Sequence, residues 1–404
     1  MRLLSPSLLR LPSFRRLVTS VVLNSAGMMG ETVVLGWLTL ELTNSPFLVG
    51  VAMGARSIPL FFVGLPAGVL ADRFPRQRLL RLTGAGQALT TAALGTITLV
   101  GLVSLPAVLL LTFAAGMIRG VEQAARQSYT HEVVGAPELV NGLAVLGVAM
   151  RVGWLLGSLG AGAVIAHLGS GAAYLAVALA YLTGAGALFP GSPAPARSID
   201  GRGSVWDNVV DFVSSVGRDR TLLVLMLLTS GAEVLGFSHQ ALLPSLARDV
   251  LHVGPEGLGG MNAARSIGGI LGLFAVSTRR HTEGGGVLLI AVLVSFGAGL
   301  VGLGLAPHFM GLGGIVAVLV LVNSAGALTD LLAQSLMQLS APAHHRGRAG
   351  GAWVVAIGLA PLGQLQIGAL ASLFGVSVAL GASGLGLVAL AGATALLFPR
   401  VRKL

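Results

Sequence analysis

Twelve long apolar stretches constrain this chain more than any other feature of its sequence. A helix needs about 20 mostly apolar residues to cross a lipid bilayer, and each stretch is about that long or longer. The stretches are too long for barrel strands, and they do not alternate polar with apolar side chains. We therefore predict an all-α membrane protein with twelve transmembrane helices. The predicted spans are residues 17–42, 46–70, 79–102, 105–127, 139–167, 171–190, 221–246, 256–278, 285–306, 309–338, 349–373 and 376–398.

Composition supports a protein that is solvated by lipid. Of the 404 residues, 54% are hydrophobic and 10% are charged, whereas soluble domains carry about 25% charged residues. The formal net charge of +10 could suggest nucleic acid as a partner. However, the basic residues form short clusters and no continuous stripe, so we expect a lipid bilayer and no nucleic acid.

The sequence also argues against an enzyme. It contains no cysteine, which excludes disulfides, thiolate metal sites and thiol nucleophiles. No phosphate-binding loop of the pattern GxxxxGK[ST] occurs, so ATP is not the energy source. His239, His308, His344 and His345 are scattered along the chain and are expected to be loop or interface histidines. We therefore expect no metal and no cofactor.

The basic residues predict the orientation in the membrane. If the N-terminus is inside, almost every arginine cluster outside the spans faces the cytoplasm, and the opposite face receives only Arg248. Both termini are then cytoplasmic. A single lysine, Lys403, among 25 basic residues, together with 59 glycines, indicates a GC-rich bacterial genome. The predicted location is a bacterial plasma (inner) membrane.

The chain also repeats itself at nearly one offset. The tetrapeptide ARSI occurs at 55–58 and 264–267, GAVIAHLG at 162–169 resembles GALASLFG at 368–375, and QS occurs at 127–128 and 334–335. The offsets are 209, 206 and 207 residues. Two six-helix pseudo-repeats, residues 1–190 and 221–404, are the layout of a large class of secondary transporters.

Residues 191–220 are predicted to link the two repeats on the cytoplasmic side. Apolar residues from Val205 to Val216 recur there at helical spacing, with Asp207, Asp211 and Arg218 on the other face. This pattern fits an interfacial amphipathic helix. It fits equally well an ordinary short helix that caps the bundle.

The junction of the second and third spans resembles a family signature. Gly64, Gly68, Asp72, Arg73, Arg76 and Arg78 match the loop G-x-x-x-D-R-x-G-R-[RK] of the major facilitator superfamily, with Phe74 and Pro75 in place of x-G. The variant ADRF-x-R-x-R resembles the branch of drug, siderophore and other secretion exporters that the enterobactin exporter typifies. Further similarity to that branch lies in ARQS (125–128), LLPSLARDVL (242–251) and RGR (346–348).

The resemblance implies a cytoplasmic gating motif. In the family this loop latches the two halves together and opens during transport. The physical reading agrees, because two glycines four residues apart let a helix approach closely and an acid can face another helix's N-terminus. The alternative, a topology signal only, accounts for the arginines but not for Asp72 or the glycines.

Charged side chains inside predicted spans are costly and are functional candidates by default. The resemblance places spans 1, 4, 7 and 10 around a central cavity, and each of them contains one acid. Such groups can carry protons or bind substrate, or they can be staples between helices. Glu31 has no cation three or four residues away, so its partner is expected from another span, the cavity or the substrate. The candidates are Glu31, Glu122, Glu233 and Asp330, with Arg56, Arg151 and Arg265.

The fifth span contains Gly153, Gly157, Gly160 and Gly162. They resemble the glycine-rich antiporter motif of exporters in this superfamily, with Ser158 in place of its proline. These features together predict a proton-coupled exporter of a drug, siderophore or secondary metabolite, with a role in multidrug resistance, that works as a monomer. The alternatives are an importer or lysophospholipid flippase of the same fold, and a non-transporting receptor or assembly partner.

Overall fold

A computed structural model describes residues 8–189, 219–277, 284–340 and 346–402. Most of the predicted linker, the loop at 278–283 and the histidines at 344 and 345 lie outside these residues. The described residues are helical with no strand, as predicted. They form two compact units. The first takes residues 8–44, 55–189 and 253–263, and the second takes 45–54, 219–252, 264–277, 284–340 and 346–402.

The first predicted half begins with α1 (Pro12–Thr43), α2 (Pro46–Arg73) and α3 (Arg76–Leu99). Proline at the start of α1 fits the first turn, where a helix needs no amide donor. Asn44 ends α1 in the left-handed conformation, with φ of 49°, and its amide donates to the carbonyl of Leu40.

The long helix α4 (Leu105–Gly186) contains three of the predicted spans. It is interrupted at Gly135 and Gly169, whose φ angles of 71° and 81° are not helical. These conformations are available to glycine at little cost. The fourth, fifth and sixth predicted spans therefore follow one another with single-glycine breaks.

The second half starts with α5 (Arg220–Gly231), which Asp219 caps by accepting from the amides of Thr221 and Leu222 at 2.9 and 3.1 Å. The chain then leaves α-helical geometry for a π-turn (Ala232–Gly236) and a 3₁₀ stretch (Phe237–Leu242). The later long helices are α6 (Pro255–Ser277), α7 (Gly285–Leu305), α8 (Leu312–Ser340), α9 (Arg346–Ile357), α10 (Ala360–Phe374) and α11 (Val376–Leu397).

Eight helical stretches among the described residues are long and apolar enough to cross a membrane. One of them, Asn141–Gly186, contains the break at Gly169 that separates two predicted spans. Helices α2, α3 and α6 also coincide with predicted spans, at 28, 24 and 23 residues. Large apolar side chains such as Leu89, Leu102 and Leu110 are at least 70% exposed, which suits lipid contact.

The sequence offset recurs in the geometry. Gly169 and Gly375, 206 residues apart, both adopt positive φ at breaks between helices. In the first unit a Cβ on Gly162 would lie 2.7 Å from the carbonyl oxygen of Pro255. In the second unit a Cβ on Gly368 would lie 2.9 Å from that of Pro46. Corresponding glycines thus permit corresponding close crossings of helices.

Candidate functional site

The predicted intramembrane charges fall into two groups, one in each compact unit. The first unit contains Glu31, Arg56, Glu122 and Arg151, and the second contains Glu233, Arg265 and Asp330. Each group also includes side chains that were not singled out from the sequence.

The first group is centred on Glu31, which is 2% exposed. Its Oε2 accepts a hydrogen bond from Arg119 Nη2 at 2.8 Å and another from the Tyr181 hydroxyl at 2.7 Å. Its Oε1 faces Arg56 Nε at 3.6 Å, and Arg56 also donates from Nη2 to the carbonyl of Met28. Of the three sources expected for a partner of Glu31, other predicted spans supply these contacts. We call Glu31, Arg56, Arg119, Tyr174 and Tyr181 the arginine cluster.

Glycines bring the helices of the arginine cluster together. A Cβ on Gly27 would touch the Tyr181 ring at 3.0 Å, and this ring carries the hydroxyl that reaches Glu31, one turn further along α1. A Cβ on Gly116 would lie 2.5 Å from the carbonyl oxygen of Arg56. Gly116 precedes Arg119 by one turn of α4. Close backbone approach thus fixes both arginines relative to the acid.

Glu122 and Arg151 have other described contacts. Glu122 pairs with Arg126, one turn on, at 3.3 Å, beside a small cavity lined also by Leu17 and Asn24. The guanidinium of Arg151 lies 5.8 Å from the ring centroid of Trp154, within cation–π range. The pair at Glu122 lies within one helix.

The second group is built around the irregular stretch after α5. Glu233 lies in the π-turn, within electrostatic range of Asp330 on α8. Among the described residues Glu233 has no ion pair. Single π-turns occur frequently at functional sites, because they redirect side chains within a helix.

Arg265 and His239 complete the second group. Arg265 Nε donates to Asn323 Oδ1 at 3.3 Å, so two helices are joined by a charged and a neutral side chain. His239 is fully buried, and its Nδ1 lies 2.7 Å from the carbonyl oxygen of Gly236. The carbonyl can only accept, so Nδ1 carries the hydrogen. Of the two places expected for this histidine, a loop or an interface, the structure shows an interface, since the His239 ring lies 6.3 Å from the ring of Phe296 on α7.

The gating motif is described only at its second half. Gly64, Gly68, Asp72 and Arg73 belong to α2, but their side chains lie outside the described part of the structure. Arg76, at the start of α3, has its Nη1 3.5 Å from Glu132 Oε2 within the first unit. Arg78 is exposed.

Three of the four fifth-span glycines face neighbouring backbone. A Cβ on Gly153 or Gly157 would overlap α1 at the carbonyls of Val22 and Ala26, and one on Gly162 would meet Pro255. Gly160 faces open space. Ser158, where the exporter motif has proline, is buried and donates to the carbonyl of Leu155 at 3.0 Å. The glycine face thus packs helices closely, as its spacing suggested.

Comparison with known proteins identifies the family of the chain. The model of the Major Facilitator Superfamily matches residues 17–363. The chain is 27% identical to the multidrug efflux pump Tap of Mycolicibacterium fortuitum, over 91% of each protein. It is 28% identical to the enterobactin exporter EntS of Shigella flexneri, over 90% of the chain and 87% of the relative. A crystal structure of a mutant of the nucleoside transporter NupG superposes with a TM-score of 0.82 at 11% identity, covering 96% of the chain and all of NupG.

Proposed function

Since the chain belongs to the Major Facilitator Superfamily and is a membrane transporter, we propose that it exports a small organic molecule by proton-coupled alternating access. The observation that carries the direction is the similarity to Tap and EntS, which are named as an efflux pump and an exporter and align over about nine-tenths of the chain. The substrate would be a drug, siderophore or secondary metabolite. We further propose twelve spans in two repeats, both termini in the cytoplasm of a bacterial inner membrane, and a monomer.

The proposed coupling site is the acid pair in the second unit. Glu233 and Asp330 are like charges within range of each other, and Glu233 lies in a π-turn. Binding of one proton relieves the repulsion between two neighbouring carboxylates, and intramembrane acids serve as proton relays. Glu31 is a weaker coupling candidate, because its carboxylate is already hydrogen-bonded to Arg119 and Tyr181 and faces Arg56.

Inverted membrane vesicles test the direction. We expect vesicles containing the protein to accumulate at least one of two fluorescent probes, anionic fluorescein or cationic ethidium, when the interior is acidified. A protonophore should abolish this accumulation. Accumulation only in right-side-out vesicles would make the protein an importer. A non-transporting role would require that neutralising all four intramembrane acids changes nothing.

A further inference from the structure

The arginine cluster carries more positive than negative charge. The carboxylate of Glu31 faces two guanidinium groups, those of Arg56 and Arg119. The neighbouring Glu122 is paired with Arg126. Arginine does not lose its proton in proteins. Around these two acids, three arginines therefore leave one positive charge unbalanced. A buried charge without a counter-ion is costly, which favours binding of an anion there.

Unused donors accompany the surplus charge. The carboxylate of Glu31 is occupied by Arg119 and Tyr181, yet Nε of Arg56 and Nε of Arg119 have no hydrogen-bond partner. The hydroxyl of Tyr174, a fully buried residue in the electrostatic field of Glu31 and Arg56, also lacks one. Buried donors are normally satisfied. Donors of this kind are satisfied by a group that only accepts hydrogen bonds.

The accessible surface of the cluster belongs to its arginines. The side chains of Arg56 and Arg119 remain 13% and 11% exposed, whereas that of Glu31 is 3% exposed. The side chains of the two arginines are therefore more accessible than that of the acid. Guanidinium groups match the geometry of oxyanions and bind them through paired hydrogen bonds.

We propose that Arg56 and Arg119 form a subsite for an oxyanion on the transported molecule, such as a carboxylate or phosphate group, with Glu31 holding the two arginines in place. This subsite deepens the proposed transport function and rests on it for the identity of the ligand. Gly116 lies close to the backbone of Arg56 and one turn before Arg119, so the segments that carry the two arginines pack side by side. Preorganisation of this kind lowers the cost of binding.

The test measures binding without any gradient, so it does not depend on the direction of transport. Purified protein in detergent is titrated at constant ionic strength with benzoate, with its neutral isostere benzamide and with inorganic phosphate, and Tm is followed. We expect benzoate to raise Tm and benzamide not to. Arg119→Gln and Arg56→Gln should each weaken the apparent benzoate affinity about tenfold or more, as expected for loss of a hydrogen bond to a charged group.

Arg81→Gln is the matched control for losing a partly buried arginine in the same unit. Arg81 donates to the carbonyl of Leu188 and stacks on Phe189 at 3.8 Å, and its variant should respond to benzoate like the parent. If Arg119→Gln does not fold, the double variant Glu31→Gln with Arg119→Gln removes both members of the pair and avoids a buried unpaired acid. It too should lose the response.

Three results would overturn the subsite. Equal changes in Tm with benzoate and benzamide would show that the protein does not distinguish the negative charge. Equal benzoate affinity in the parent and the Arg119 variants would place binding elsewhere. A response to phosphate alone, or to no probe, would mean that the cluster does not accept an organic oxyanion. If the parent protein binds benzoate but exports neither probe in inverted-vesicle assays, the proposed function is refuted and the subsite is not.

Discussion

Glu31 and Glu233 are the acids of the first and seventh predicted spans, but their surroundings give them different chemistry. Glu31 accepts from Arg119 and Tyr181 and faces Arg56. Glu233 lies near another acid, Asp330, in a π-turn. An acid tied to two cations is suited to holding them in position, and an acid beside another acid is suited to binding a proton. We therefore propose that Glu31 positions the two arginines and that Glu233 takes part in proton coupling.

Glu233→Gln is expected to abolish proton-driven accumulation of substrate while downhill exchange continues, because the variant cannot exchange a proton. Asp330→Asn should have the same effect. Uphill transport and substrate-induced proton release, measured in the same proteoliposomes, check this. Glu256→Gln, which removes an exposed acid paired with His167, is the control and should transport like the parent. Normal proton coupling in both Glu233→Gln and Asp330→Asn would return the coupling role to Glu31 or Glu122.

Charged residues inside the spans are easier to find from the sequence than their partners. Charges inside apolar stretches are conspicuous, so Glu31, Glu233 and Asp330 could be found without a structure. Arg119 and Tyr181 were not identified as partners of Glu31, and tyrosine in particular is unremarkable in a span. Their roles depend on how helices pack, which periodicity does not record.

Helical elements approach one another through glycine faces. Gly157 lies against Ala26 of α1, whereas Gly160, three residues later, faces open space. The spacing of the four fifth-span glycines predicted a packing face but could not show which member lies off it. The change to π and 3₁₀ geometry after α5 also has no clear sequence signature, so it could not be predicted.

Gly157→Ala is expected to destabilise the protein by about 1–3 kcal/mol, the usual cost of forcing atoms into a well-packed interior. Its Cβ would overlap the carbonyl of Ala26. Gly160→Ala is the matched control and should be neutral or stabilising by up to about 1 kcal/mol, since alanine favours helix. Thermal unfolding in detergent measures both. Equal stability of the two variants would refute the packing role of Gly157.

The α2–α3 junction carries the proposed latch. Asp72→Asn should lower the transport rate severely while the protein still inserts and folds, because the change weakens a gate and not a core. Transport by the purified variant in vesicles is compared with its unfolding temperature. A fully folded variant that transports at the parental rate would leave the junction as a topology signal only.

On the scale of the whole molecule, the compact units do not follow the sequence halves strictly. Residues 253–263, from the second predicted half, belong to the first unit, and residues 45–54, from the first half, belong to the second. The sequence offset predicted the repeat, and the paired glycine crossings at Pro255 and Pro46 agree with it. The exchange of segments could not be foreseen, since a repeat specifies similar halves and not which neighbours their ends contact.

This exchange gives a direct test of alternating access. Within the first unit His167 Nε2 lies 3.3 Å from Glu256 Oε1, and the two residues come from different predicted halves. The natural chain has no cysteine, so His167→Cys with Glu256→Cys can be linked by a short bis-maleimide reagent. We expect the link to stop transport, because alternating access requires the two predicted halves to separate near residues 167 and 256.

Glu41→Cys with Ser170→Cys is the matched control, since the Ser170 hydroxyl donates to Glu41 Oε2 at 2.9 Å and both residues belong to the first predicted half. Linking that pair should leave turnover unchanged. Undiminished transport by a protein fully linked between residues 167 and 256 would contradict the separation of the halves and with it the alternating-access mechanism.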